Sequence, residues 1–245
     1  NKWIPNYVIK NPTDSRSVIL SPEQCKYRIL MIHKEKEKLK DKNILKYINM
    51  GEDKDYNTRP TCSSRGEKWY DLGLWEFADA LWIEFYYESY RVIANKGSYE
   101  SDKFYGITFK KRRSIIPYIC NLNSTLFVLY REVFGFLSLG LGALKMPVYQ
   151  VELLPVIKFD LFSREHKKAF LKLAKKSGTR DIESIFSELG ASSPEEISLD
   201  KVKSDRRELD KIIMGDILGL TDEEQLEVYK AVIDLVKSRI EKAKS

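Results

Sequence analysis

The spacing of apolar positions changes once along the chain, near residues 155–163. Before that point, short strand-like runs alternate with loops. Tyr27-Arg28-Ile29-Leu30-Met31-Ile32 reads as one strand. Tyr90-Arg91-Val92-Ile93-Ala94 and Phe104-Tyr105-Gly106-Ile107-Thr108-Phe109 read as a pair joined across Asn95-Lys96-Gly97-Ser98. β-Branched and aromatic runs bounded by Asn, Gly and Ser carry that signal. Two helices interrupt them. One is predicted from Lys42 to Met50, with Gly51 just past its C-cap. The other is predicted from about Asn123 to Phe134, where Leu122, Leu126, Leu129, Tyr130 and Phe134 recur at helical spacing and Gly135 follows.

Beyond the change the pattern is almost wholly helical. Ser163 can cap a helix carrying Phe170, Leu171 and Ala174, and Thr179 one carrying Ile182, Ile185, Phe186 and Leu189, ended by Gly190. Ser193-Pro194-Glu195-Glu196 places a cap, a proline at the first helical position and a capping-box glutamate in order. Thr221-Asp222-Glu223-Glu224 repeats that logic. It opens a long helix with Leu226, Val228, Tyr229, Val232, Ile233, Val236 and Ile240 on one stripe. The fold class is therefore α+β. A mixed α/β unit is predicted over residues 1–157, and a helical subdomain over 158–245 packs against it.

Composition adds to this picture chiefly through where the charge falls. The net +6 sits in residues 1–155, which hold 24 Lys and Arg against 18 Asp and Glu; residues 156–245 hold 18 of each. Of 29 aromatic residues, 24 precede residue 156. A polyanion is expected on that basic, aromatic part. Cys25, Cys62 and Cys120 are widely spaced and odd in number, so neither a zinc site nor a disulfide framework is indicated; three unpaired thiols suit the cytoplasm. With only His33 and His166, a histidine-centred active site or metal site is not expected. No apolar run approaches the ~18 residues that span a bilayer. The start at Asn1-Lys2-Trp3-Ile4-Pro5 lacks both a signal-peptide pattern and an initiator Met, and reads as a piece of a longer chain.

Several stretches carry candidate chemistry. Arg59-Pro60-Thr61-Cys62-Ser63-Ser64-Arg65-Gly66-Glu67-Lys68-Trp69-Tyr70-Asp71-Leu72 brings three cations, hydroxyls and two adjacent aromatics together. Arg and Lys can hold phosphates or read guanine edges, and Trp and Tyr can stack on an unpaired base. The same stretch also reads as a surface loop whose Trp69 and Tyr70 are pinned in a core. Lys110-Lys111-Arg112-Arg113 at a strand end suits either a solvated edge or a phosphate contact. The charge-dense run from Lys34 to Lys42 mostly alternates in sign and reads as solvated. The glycine-rich Gly135–Lys145 stretch follows a helix, not a strand. It reads as close backbone approach, with Lys145 near a phosphate, rather than as a nucleotide loop.

Taken in order, Arg59-Pro60-Thr61-Cys62 with Lys68-Trp69-Tyr70-Asp71-Leu72 form a first block. Tyr90-Arg91-Val92-Ile93-Ala94-Asn95 with Phe104-Tyr105-Gly106-Ile107 form a second. Asn121-Leu122-Asn123-Ser124-Thr125 with Gly140-Leu141-Gly142-Ala143-Leu144-Lys145 and Leu154-Pro155-Val156 form a third. Together they resemble the C-terminal part of N6-adenine DNA methyltransferases, of the type fused into single-chain restriction–modification and phage-exclusion enzymes. The resemblance covers roughly residues 3–157. It implies an N-terminal methyltransferase domain of the same polypeptide that binds S-adenosylmethionine and flips adenine into an Asn-Pro-Pro-Tyr pocket. This chain has neither that tetrapeptide nor a methyl-donor loop; Asn11-Pro12-Thr13 lacks the second proline and the aromatic. The chain itself is thus expected to have no catalytic, cofactor-binding or metal residues and to bind double-stranded DNA, with no membrane partner. The expected DNA contacts are Arg59, Arg65, Lys68, Trp69, Tyr70, Arg91, Lys110, Lys111, Arg112, Arg113, Ser124 and Lys145. Arg59 and Arg65 are the expected base readers, Lys111 and Lys145 the expected phosphate contacts. A protein-interaction scaffold or an RNA-binding module is the alternative; a scaffold lacks salt-dependent DNA binding, and an RNA module favours single strands.

Overall fold

Residues 6–110, 115–138 and 142–244 are described by a computed structural model. The first strands are short: β1 (Tyr7–Ile9), β2 (Ile19–Leu20) and β3 (Tyr27–Arg28). The strand expected over 27–32 keeps only its first two residues. Ile32 leaves the sheet and joins Ile48, Trp69 and Tyr70 in a small apolar cluster of its own. Helices α1 (Lys42–Asp53) and α2 (Pro60–Ser63) build that cluster. Asp41 caps α1, its carboxylate accepting from the N–H groups of Asn43 and Ile44. Gly51 does not terminate α1 as expected but lies inside it, because Trp69 packs there: a Cβ at Gly51 would stand 2.4 Å from the indole.

Next come β4 (Ala80–Ile83), β5 (Phe85–Tyr86), β6 (Val92–Asn95), β7 (Tyr99–Glu100) and β8 (Phe104–Ile107). The main sheet runs β2-β6-β4-β8. β6 and β8 are both present, but they are not partners. β4 lies between them, antiparallel to both, with Leu81 opposite Ile93 and Gly106. All four β4 residues are buried, so the run lacks the alternation that marks a half-exposed strand. The Asn95–Ser98 turn forms as expected, held by the Asn95 side chain, which accepts the Ser98 N–H at 2.9 Å and donates to the Ala78 carbonyl at 2.9 Å. It delivers β7 to a second sheet, β3-β1-β7, where Val8 pairs with Tyr99.

The remaining elements are α3 (Ile115–Leu122), α4 (Thr125–Phe134), β9 (Phe136–Ser138), β10 (Ala143–Lys145), α5 (Val148–Val151), α6 (Arg164–Ser177), α7 (Ile185–Leu189), α8 (Ser204–Asp210) and α9 (Asp222–Lys242). A π-helical stretch, Lys211–Ile217, continues α8. β10 pairs with β9 and with β5. No strand follows Lys145 among the described residues. Ser163 and Thr221 cap α6 and α9, their hydroxyls accepting from the His166 and Glu224 N–H groups. Thr179 is not a cap; it lies in a turn, and α7 starts later behind Ser184, whose hydroxyl accepts the Ser187 N–H. Pro194–Glu196 forms one short 3-10 turn rather than a helix.

The helical tail packs on what precedes it, α6 against α3 and α9 against α4. One apolar core includes Ile9, Trp82, Phe127, Phe170 and Val236. On α9, Tyr229, Val232, Ile233 and Val236 are fully buried, the three aliphatic side chains each contributing about 1.5–3 kcal/mol of transfer free energy. On α4 the buried face is Phe127, Val128 and Arg131, while Phe134, expected on the apolar stripe, is half exposed. On α6, Leu173 is buried where Leu171 was expected. Among the described residues, no helix is long and apolar enough to cross a membrane.

Candidate nucleic-acid interface

The 59–72 stretch separates into displayed cations and buried rings. Arg59 precedes α2 and is exposed, with its guanidinium 4.2 Å above the Tyr56 ring. Arg65 is exposed and donates to the Trp69 carbonyl at 3.2 Å. The Lys68 ammonium lies 3.6 Å from Asp71. Asp71 also accepts the Gly73 N–H at 2.9 Å and contacts His33 Nδ1 at 2.9 Å; those hydrogen bonds hold its carboxyl below the usual range. Trp69 and Tyr70 face inward. Their rings meet edge-on at 5.9 Å, and the Tyr70 hydroxyl donates to the Lys34 carbonyl at 3.0 Å. This corrects their reading as stacking residues: the cluster around Ile32 and Ile48 occupies the rings, and neither face is open to a base.

Two further expected contacts, Arg91 and Ser124, are buried in the structure, and a third, Lys145, is ion-paired. Arg91 is buried and donates to the carbonyls of Pro12 and Ser15, the latter at 2.8 Å, so it ties the N-terminal turn to β6. Burial pushes its guanidinium down to about 10. Ser124 is fully buried and donates to the Asn121 carbonyl at 2.8 Å. Lys145 is ion-paired to Glu84 at 2.8 Å and lies over Phe85. Lys110 is exposed at the end of β8, beside an open groove lined by Tyr105, Phe109, Tyr118, Val151 and Phe159. Lys111, Arg112 and Arg113 lie outside the described residues.

Asn123, Thr125 and Gly142, in the third of the segments that carry the family resemblance, are joints of the fold. Asn123 accepts the Val92 N–H and donates to the Val92 and Ile119 carbonyls, fixing the end of α3 to β6. Thr125 gives its N–H and hydroxyl to the Asp210 carboxylate at 2.8 and 2.6 Å. Gly142 adopts φ +73°, and a Cβ there would meet Ala243 at 2.9 Å, so glycine lets α9 approach. Ala143, Leu144 and Leu154 are core residues.

Two cations that sequence reading left out stand with the exposed set. Lys10 lies 5.4 Å over Tyr27, and Arg28 lies 3.7 Å over Tyr7, both exposed on the β3-β1-β7 sheet. Their signal is the interleaving of cation and tyrosine along β1 and β3. Fold and surface thus define an α+β module with exposed cations on short turns and beside strand ends, several of them bonded to neighbouring carbonyls or carboxylates.

The chain belongs to the family described as "Type II methyltransferase M.Eco57I, C-terminal domain", whose model matches residues 14–190. It is thereby a C-terminal region of the type II, restriction–modification class of methyltransferase. No curated protein and no solved structure matches it.

Proposed function

We propose that this chain reads the DNA sequence for an S-adenosylmethionine-dependent adenine-N6 methyltransferase that works in the cytoplasm. The family membership over residues 14–190 is the observation that carries the reading. The excess of cations over acids in residues 1–155 supports it. Methyl-donor binding and the pocket for the flipped adenine belong, on this reading, to the methyltransferase domain of the same polypeptide. Sequence reading needs polar groups presented to base edges; base flipping needs a separate pocket. Arg59 and Arg65 are the proposed base readers, since both guanidinium groups stand exposed on turns. Lys10, Arg28, Lys68 and Lys110 hold phosphates, with Lys111, Arg112 and Arg113 continuing the run after Lys110. Lys145 contributes only by leaving Glu84.

The test is a titration of the chain with duplexes selected from a random pool, repeated across salt. Binding should fall steeply with salt, because each phosphate contact releases counterions. Lys110→Ala should weaken all sequences alike and lower the salt slope by about one; Arg65→Ala should cost roughly 1–3 kcal/mol on the selected site and relax its specificity. Absence of salt-dependent duplex binding, or tighter binding to single-stranded RNA, overturns the reading.

A further inference from the structure

The helical tail is neutral as a whole, but its charges are not evenly mixed. α6 holds six Lys and Arg against one acid, whereas α9 holds four against six. Phe170 and Leu173 bury one face of α6 in the core. Arg164, Lys168, Lys172, Lys175 and Lys176 stand exposed on the opposite face, within about 120° of arc at 3.6 residues per turn. None of the five is ion-paired to a described residue. Arg164, Lys168, Lys172 and Lys176 follow one another at i, i+4, so three successive pairs set like charges side by side, an arrangement that weakens a helix. Arg164 also stands in the first turn, where the helix dipole disfavours a cation; only Lys175 and Lys176 sit where that dipole favours them. Helix stability therefore gives no reason for the other three. α9 shows the ordinary arrangement of an exposed face, with Lys230 paired to Glu227 at 2.7 Å.

We propose that this face of α6 lies along the phosphate backbone of the duplex, as a second, sequence-independent contact outside residues 1–155. The inference rests on the DNA-reading function proposed above and adds residues that reading does not use. An unpaired row of cations of one sign matches a polyanion. From Arg164 to Lys176 the row is about 18 Å long at 1.5 Å per residue. A duplex carries one phosphate per about 1.7 Å of its axis, so the row spans several phosphates. It is also continuous with a cation already assigned to DNA. Lys167, on the next row of the helix, lies 4.1 Å over Phe159. Phe159 lines the same groove as Lys110 and Lys158, both exposed. A backbone held at Lys110 can therefore continue past Lys158 onto α6. The acids beside this track are Glu152 and Asp160 at the groove and Glu165 in the first turn of α6, three against eight cations. α3, on which α6 packs, has no charged residue.

The test repeats the duplex titration across salt with Lys168→Gln, Lys172→Gln, Lys175→Gln and Lys176→Gln combined in the chain. Glutamine matches lysine in helix propensity, and loss of the like-charge pairs should hold or raise Tm, so weaker binding would not come from unfolding. The slope of log affinity against log salt should fall by about 2–4, since each lost phosphate contact removes about 0.9. Selected and unrelated duplexes should weaken alike, by about tenfold or more, with the ratio between them unchanged. Arginine at the same four positions should keep the parent's slope. A matched variant, Lys40→Gln, Lys42→Gln, Lys46→Gln and Lys54→Gln, removes the same charge from exposed positions on and around α1 and should leave the slope within about one of the parent's. If the α6 variant keeps the parent's slope, or both variants lower it equally, DNA reading survives and this inference fails. It fails in the same way if the α6 variant loses binding to single-stranded RNA and keeps binding to duplex. If the parent shows no salt-dependent duplex binding, both fall.

Discussion

Gly51 and Trp69 fit one another: the helix supplies a position without a side chain and the indole fills it. Glu52 accepts the Trp69 Nε1 hydrogen at 3.4 Å and pairs with Lys36, so the ring is held at its edge as well as its face. Gly51→Ala is therefore a competition. Alanine gains roughly 1 kcal/mol of helix propensity over glycine. Its Cβ, however, would stand 2.4 Å from a ring carbon that cannot retreat without disturbing Ile32 and Ile48. Overpacking of that kind costs about 1–3 kcal/mol. We expect a lower Tm and a changed near-UV tryptophan signal; an unchanged or higher Tm would show that the indole is not seated on α1.

At the scale of elements, α9 is fastened at both ends by different means. Its N-terminus uses the local Thr221–Glu224 capping box. Its last turn uses Arg239, which pairs with Glu132 of α4 at 2.9 Å and also donates to the Tyr90 hydroxyl and the carbonyls of Tyr87 and Gly142. The side chains of Arg239 and Glu132 are 6% and 2% exposed, so removing one strands the other without water. Thr221→Ala should cost about 1 kcal/mol. Arg239→Ala should cost about 3–5 kcal/mol, because it leaves a buried carboxylate unpaired. Urea unfolding of the two variants compares the losses; equal losses would contradict the central place given to Arg239.

Across the whole molecule, Glu188 is the node that joins the helical tail to the rest. It takes a bidentate pair of hydrogen bonds from Arg180 at 2.7 Å and one from Arg206 at 3.1 Å. Arg206 in turn donates to the Asn123 carbonyl and the Thr125 hydroxyl. Burial opposes the Glu188 charge, but the hydrogen bonds from Arg180 and the charge of Arg206 outweigh it and hold the carboxyl at about 2. A depressed folded value means that this stabilisation is complete above the ordinary value of 4.5 and lost as pH falls through about 2. The stake is roughly 3 kcal/mol. Asp210, raised by burial, acts in the opposite sense, so the comparison needs a variant. Glu188→Gln should lower urea stability at pH 7 and flatten its dependence between pH ~4.5 and ~2. A variant with the parent's acid profile would remove Glu188 from this role.

What was legible in the sequence is what neighbours along the chain decide. The Ser163 and Thr221 caps, the Gly190 stop at φ +67° and the apolar stripe of α9 all depend on residues within a turn or two of each other. The family was legible as well, from the order of its segments, the third of which supplies the fold's joints at Asn123, Thr125 and Gly142. Tertiary structure alone decided which candidates face water. Arg59, Arg65 and Lys110 are exposed, yet Arg91 is consumed by carbonyls 76 and 79 positions away and Trp69 by a helix it packs against. The same holds for β4, a strand buried on both faces that carries no alternation to betray it. Burial is a sum over contacts between distant segments. A cation or aromatic in a run of loop residues looks the same in sequence whether those segments cover it or leave it open.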